Sequence, residues 1–263
     1  MKNIIFWSCL VLIYFCCISC GNQHVINTFD KADELIPKGV KTKIEIRYNF
    51  IVNTSENKKS LEHKYIYQYD HNGRNIKFLW YDNRNELKYT TLYNYDKSGK
   101  MIDSNTYDSN NKLIFRSIPR YNHDNREIYQ YDANGNLFTK QISKCNSRGL
   151  VSEVLNYDAK NKLTSKFLYR YDNNSLCQTD VYNYNLDIHL KLISKDDNKN
   201  RLIELDTYNT NNELEEKTFY KYGSGDILRE KLSYTIKKAN GKTQEIPKSQ
   251  IIYEYEFFPN AKK

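Results

Sequence analysis

The stretch Tyr67-Gln68-Tyr69-Asp70-His71-Asn72-Gly73-Arg74 decides the fold, because it returns as Tyr93-Asn94-Tyr95-Asp96-Lys97-Ser98-Gly99-Lys100 and again as Tyr129-Gln130-Tyr131-Asp132-Ala133-Asn134-Gly135-Asn136. Weaker copies keep the acidic-to-glycine spacing at Asp82/Asn85, Asp108/Asn111, Asn122/Asn125, Asn146/Gly149, Asp158/Asn161, Asp197/Asn200 and Asn209/Asn212, with a degenerate copy at Asp172/Ser175. Successive copies are mostly 12 or 14 residues apart. An Asp or Asn that opens a turn accepts a hydrogen bond from the backbone two residues on. The fourth position of a type I turn with a G1 bulge needs positive φ, which Gly adopts freely and Asn tolerates best. Tyrosines one and three residues before the turn lie on one side of a strand, since side chains alternate with period two.

Strand, turn, strand is therefore the reading throughout, with about seven or eight residues left for each strand. The expected fold class is all-β: a repetitive antiparallel hairpin meander, left open between a flat strip, a spiral and an open barrel-like sheet. Ile44, Ile46, Tyr48, Phe50 and Val52 alternate with Lys43, Glu45, Arg47 and Asn49, so an amphipathic strand opens the domain at about Lys43. The last strand is expected at Ile251 to Phe258, giving one β domain over residues 43–258 and a short tail over 259–263.

The tyrosine-aspartate pattern resembles the YD repeats of the rearrangement-hotspot (RHS) family, over about residues 65–225. That resemblance implies a strip of antiparallel hairpins associated with cell-surface or secreted proteins. The self-cleaving core segment of RHS toxins has no counterpart here, so their encapsulating role is not carried over.

The start of the chain supplies an address. Lys2 precedes an apolar run from Ile4 to Ile18 interrupted only by Ser8, too short for a comfortable membrane span. The run ends in Cys17-Ile18-Ser19-Cys20-Gly21, which resembles the lipobox of bacterial lipoproteins, with Cys17 where Leu is usual. The resemblance implies a signal peptide over residues 1–19 and a diacylated Cys20. Residues 20–42 then form a tether with a short helix near Asp30 to Leu35, stopped by Pro37 and Gly39. Two or more acyl chains hold a protein stably on a membrane. The expected location is the cell envelope, lipid-anchored at the outer membrane or cell surface.

Of the 6 cysteines, Cys9, Cys16 and Cys17 would leave with the signal peptide and Cys20 would carry lipid. Cys145 and Cys177 remain. In an open meander they stand three strands apart, about 14 Å at the usual spacing, beyond disulfide reach. Free thiols are expected unless the sheet rolls up.

A net charge of +8 is spread among 40 basic and 32 acidic residues without a basic run beyond Lys-Lys pairs, which argues for a solvated surface and against nucleic acid as a partner. The 24 Tyr and 11 Phe argue against disorder. None of the histidines stands at metal-ligand spacing, and no G-x-S-x-G, P-loop or dinucleotide fingerprint appears. Asp132-Ala133-Asn134-Gly135-Asn136 has the look of half a calcium loop, but turn chemistry explains the same residues. Neither cofactor nor metal is expected, and the chain reads as non-enzymatic.

One surface invites binding. Tyr65, Tyr67 and Tyr69, with Trp80 and Tyr81 on the following strand and Tyr93 and Tyr95 beyond, offer rings for a sugar or a protein. The competing use of those rings is cross-strand packing. The expected function is a membrane-anchored scaffold or binding module for a protein or glycan. The alternatives are an immunity or toxin-neutralising protein, or a hydrolase built on carboxylates.

Overall fold

A computed structural model describes residues 36–51, 58–122, 125–173, 175–239 and 242–259. The expected signal peptide, Cys20 and the helix near Asp30 lie outside the described residues. Sixteen strands follow one another: β1 (Val40–Phe50), β2 (Lys59–Tyr69), β3 (Asn75–Tyr81), β4 (Leu87–Tyr95), β5 (Met101–Asp108), β6 (Leu113–Tyr121), β7 (Asn125–Asp132), β8 (Leu137–Cys145), β9 (Val151–Asp158), β10 (Leu163–Asp172), β11 (Ser175–Asn183), β12 (Ile188–Asp196), β13 (Leu202–Tyr208), β14 (Leu214–Tyr222), β15 (Leu228–Ala239) and β16 (Lys242–Phe257). Each pairs antiparallel with its neighbours in sequence, and β1 pairs with β16, so the meander closes into a barrel. The open strip is thereby ruled out. Closure also moves the domain's edges: the first strand starts at Val40, ahead of Lys43, and the last at Lys242, well ahead of Ile251.

The turns form as their residues dictate. Asp70 Oδ1 accepts from the amides of Asn72 and Arg74, both at 2.9 Å. The same pair of bonds recurs at Asp82, Asp96, Asp108, Asp132, Asn146, Asp158, Asp197 and Asn209. The fourth turn position has φ near +80° at Gly73, Gly99, Gly135 and Gly149, and near +60° at Asn85, Asn111, Asn161, Asn200 and Asn212. Two sites depart from the expected geometry. The amide of Asn122 donates to the carbonyl of Asn125, and Asp172 pairs with Ser175, so both close as two-residue hairpins.

Turn, bulge and face are linked. The register slips beside each four-residue turn, so that in β5 Tyr95 faces Met101 and Asn94 faces Asp103, with Ile102 unpaired between them. The bulge sends Met101 inward, 5% exposed, and Ile102 outward, 52% exposed.

Followed from pair to pair around the barrel, one face carries Tyr65, Tyr67, Phe78, Thr91, Ser104, Gln141, Phe167, Leu192, Tyr220 and Tyr253, all buried. This is the inner wall. Lys43 and Glu45 of the amphipathic first strand belong to it, at 3% and 1% exposure, whereas Ile44 and Ile46 face outward. The neighbours explain the inversion, because Lys43 and Glu45 are in register with Tyr67 and Tyr65 on one side and with Tyr255 and Tyr253 on the other.

The outer wall mixes apolar residues with charged partners. Ile142 faces Glu127, Leu168 faces Glu153 and Asp180, and Ile193 faces Asp206. Several carboxylates of this wall are paired: Arg116 with Asp103 at 2.7 Å, Lys144 and Lys166 with Glu153 at 2.6 and 3.0 Å, and Lys195 with Glu204 and Asp206 at 2.6 and 2.8 Å. Several of these ion pairs lie close to the turns, with Asp103, Glu153 and Glu204 at the third residue of β5, β9 and β13 and Lys144 and Lys195 at the last but one of β8 and β12.

Candidate functional site

The inner wall divides into two arcs. The first, from β14 through closure to β4, is aromatic and cationic. On β2 the rings of Tyr65 and Tyr67 lie 5.4 and 5.1 Å from Phe78 of β3, and His63 stacks on Tyr65 at 4.4 Å. Trp80 of β3 stacks on Tyr89 of β4 at 4.8 Å. The registers set the cross-strand contacts, with Tyr65 opposite Trp80 and Tyr67 opposite Phe78 between β2 and β3, and Trp80 opposite Tyr89 between β3 and β4.

Closure then inserts the cations. The Lys43 ammonium lies 5.2 Å from the Tyr67 ring and 5.1 Å from the Tyr253 ring, and Lys231 of β15 lies 5.3 Å from Tyr220 and 5.7 Å from Tyr253. An ammonium over a ring face is held by the ring quadrupole, by up to about 2 kcal/mol when desolvated. Lys43 and Lys231 thus flank Tyr253. At the edge of this arc Arg47 pairs with Glu62 at 2.9 Å. Burial, helped by the Arg47 charge, pushes His63 down to about 3, so its imidazole is neutral. Burial also raises the Tyr65 and Tyr93 hydroxyls well above their ordinary value, so both remain protonated donors.

The second arc is a belt of hydroxyls and amides. Thr91 and Thr106 bond at 2.9 Å, Gln141 donates to Asn156 at 2.8 Å and Asn156 to Ser165 at 2.9 Å. Within the first arc, Thr218 of β14 and Ser233 of β15 also bond, at 2.8 Å. Gln141 is 2% exposed and its Oε1 accepts no hydrogen bond.

The structure gathers six of the seven expected binding residues on this inner wall: Tyr65, Tyr67, Tyr69, Trp80, Tyr93 and Tyr95. It does not include Tyr81. Trp80 and Tyr81 are adjacent in one strand and must face opposite ways, and Tyr81 lies outside under Lys64, 4.4 Å from its ring. The expected exposed face is also corrected, since Tyr65, Tyr67 and Tyr69 are 7%, 8% and 7% exposed. Lys43, Tyr253 and Lys231 escape sequence reading because only the pairing of β1 with β16 brings them to the tyrosines. Cys177 is a free thiol donating to the Arg170 carbonyl at 3.3 Å. The expected absence of a bond between Cys145 and Cys177 holds, although Cys145 is not itself a free thiol.

No protein family and no curated protein matches it. The barrel fold is shared. A porin-like protein from Bacteroides uniformis superposes with a TM-score of 0.55 at 14% identity, over 84% of this chain and 99% of that one. A putative outer membrane lipoprotein-sorting protein domain from Vibrio parahaemolyticus reaches a TM-score of 0.30 at 9% identity, over 84% and 87%. A DUF1329 family protein from Desulfovibrio piger reaches 0.28 at 7% identity, over 85% and 88%.

Proposed function

We propose that this chain is a lipid-tethered, non-enzymatic binding barrel of the bacterial envelope, which takes a glycan against its inner wall. One observation carries the reading: Lys43, set between Tyr67 and Tyr253, shares the wall with the Trp80–Tyr89 stack and with a belt of hydroxyls and amides. Sugars offer C–H faces that pack on rings and hydroxyls that exchange hydrogen bonds with Thr, Ser, Asn and Gln. Both are present here. The lipobox at Cys20 supplies the tether, and the ion-paired outer wall suits a barrel held beside a membrane.

Trp80 makes the reading testable. The chain has 2 tryptophans, Trp7 and Trp80, so a protein beginning at residue 20 reports from the inner wall alone. Titration with envelope-derived oligosaccharides, chosen from a glycan array, is expected to change Trp80 emission. Tyr67→Ala and Lys43→Met should each weaken that binding about tenfold, in line with losing one buried aromatic or charged anchor. An array without hits would sink the glycan reading. A ligand whose affinity ignores both substitutions would move the site to the outer wall.

A further inference from the structure

The barrel has two ends. Val40 pairs with Phe257 beside the Asp70 and Asp96 turns, so the chain enters at this end, directly after the segment that leads back to Cys20. Near the same end the outer wall carries an apolar patch. Ile76 and Ile102, the bulge residues of β3 and β5, are 41% and 52% exposed, and Leu92 of β4 between them is 39% exposed. Leu92 faces Lys77 across the β3–β4 ladder, and Lys97 and Lys100 stand exposed on the turn that joins β4 to β5. The nearby carboxylates are engaged, Asp70 by Arg74, Asp103 by Arg116 and Asp96 by the Ser98 and Lys100 amides of its own turn.

We propose that this patch docks the barrel body onto an anionic bilayer surface, with the isoleucines entering the headgroup layer and the lysines meeting lipid phosphates. Apolar side chains rimmed by basic residues are the signature of interfacial binding, and each lysine near an anionic surface strengthens it. The place of chain entry selects the membrane as occupant over a distant partner. The inference deepens the tethered reading but is tested without the lipid.

The experiment uses the chain from residue 20 with Cys20→Ser, sedimented with vesicles of phosphatidylcholine with and without phosphatidylglycerol. Binding is expected only to the anionic vesicles and should fall in high salt. Ile76→Asp with Ile102→Asp, and separately Lys97→Glu with Lys100→Glu, should each lower partitioning at least about tenfold. Ile203→Asp, at the matching bulge of β13, should bind like the parent, and unchanged Trp80 emission shows that each variant is folded. Failure to bind anionic vesicles, equal binding to neutral ones, or full binding by the isoleucine variant overturns the proposal. None of these outcomes touches lipidation of Cys20 or glycan binding at the inner wall.

Discussion

Tyr95, Tyr121, Tyr171 and Tyr222 each stand just before a turn and reach back 20 residues, to the carbonyls of Asn75, Met101, Val151 and Leu202. Those acceptors open the strand that follows the previous turn at the same end, so each bond ties one hairpin to the next. The turn residue completes the tie. Arg74, held by Asp70, lies 5.0 Å from the Tyr95 ring, and Arg201, held by Asp197, lies 4.8 Å from Tyr222. The tyrosine-aspartate pair is thus a lateral clamp as well as a turn signal. Tyr222→Phe deletes one such bond and leaves the Leu202 carbonyl, in a core residue 2% exposed, without that donor. A loss of about 1 kcal/mol is expected in urea unfolding. Tyr208→Phe, on the outer wall beside Lys191, is the control and should cost less than about 0.5 kcal/mol. Equal losses would show that the hydroxyl bond carries no lateral coupling.

At the scale of strand and turn, acid should unfold the barrel in two stages. The turn carboxylates of Asp70, Asp82, Asp96 and Asp132 sit below their ordinary range, held there by backbone amides and neighbouring donors, and Asp197 is brought down to about 2 by Arg201. Their unfolded value is about 3.9, so this stability is present above that pH and is lost as pH falls through the folded values. His63 acts earlier. Its folded value near 3 lies below the unfolded value of 6.5, so protons favour the unfolded chain from pH 6.5 downward. The denaturation midpoint should therefore decline gently below pH 6.5 and steeply below 4, and His63→Gln should remove only the gentle limb. A wild-type midpoint that stays flat from pH 6.5 to 4 would contradict this account. These turns were legible because their chemistry is local: an Asp, a Gly and four residues of chain. The readings at Asn125 and Ser175 failed because a two-residue hairpin uses the same amino acids. Which face of β1 turns inward was not legible either, since Lys43 and Glu45 are in register with rings twenty or more residues away in sequence.

Closure is the one property that no repeat contains. Every other pairing joins neighbours in sequence, whereas β1 must find β16, and Val40 must find Phe257, across nearly the whole chain. Until that seam forms, β1 and β15 or β16 present unpaired backbone edges, which are templates for pairing between molecules. The seam also assembles the candidate site, because Lys43 reaches Tyr253 only through it. Removing residues 242–263 deletes β16 and should leave fourteen intact strand pairings but no barrel. The truncated chain is expected to retain β-sheet circular dichroism while eluting as oligomers. A synthetic peptide covering Lys242 to Pro259 should restore a monomer and shift Trp80 emission back toward that of the full chain. Strand addition to an open edge supplies main-chain hydrogen bonds and side-chain alternation together, which is why a peptide can repair what a distant mutation cannot. If the truncated chain is instead monomeric with native Trp80 emission, the repeats hold their curvature unaided, and the inner wall owes nothing to the pairing of first and last strands.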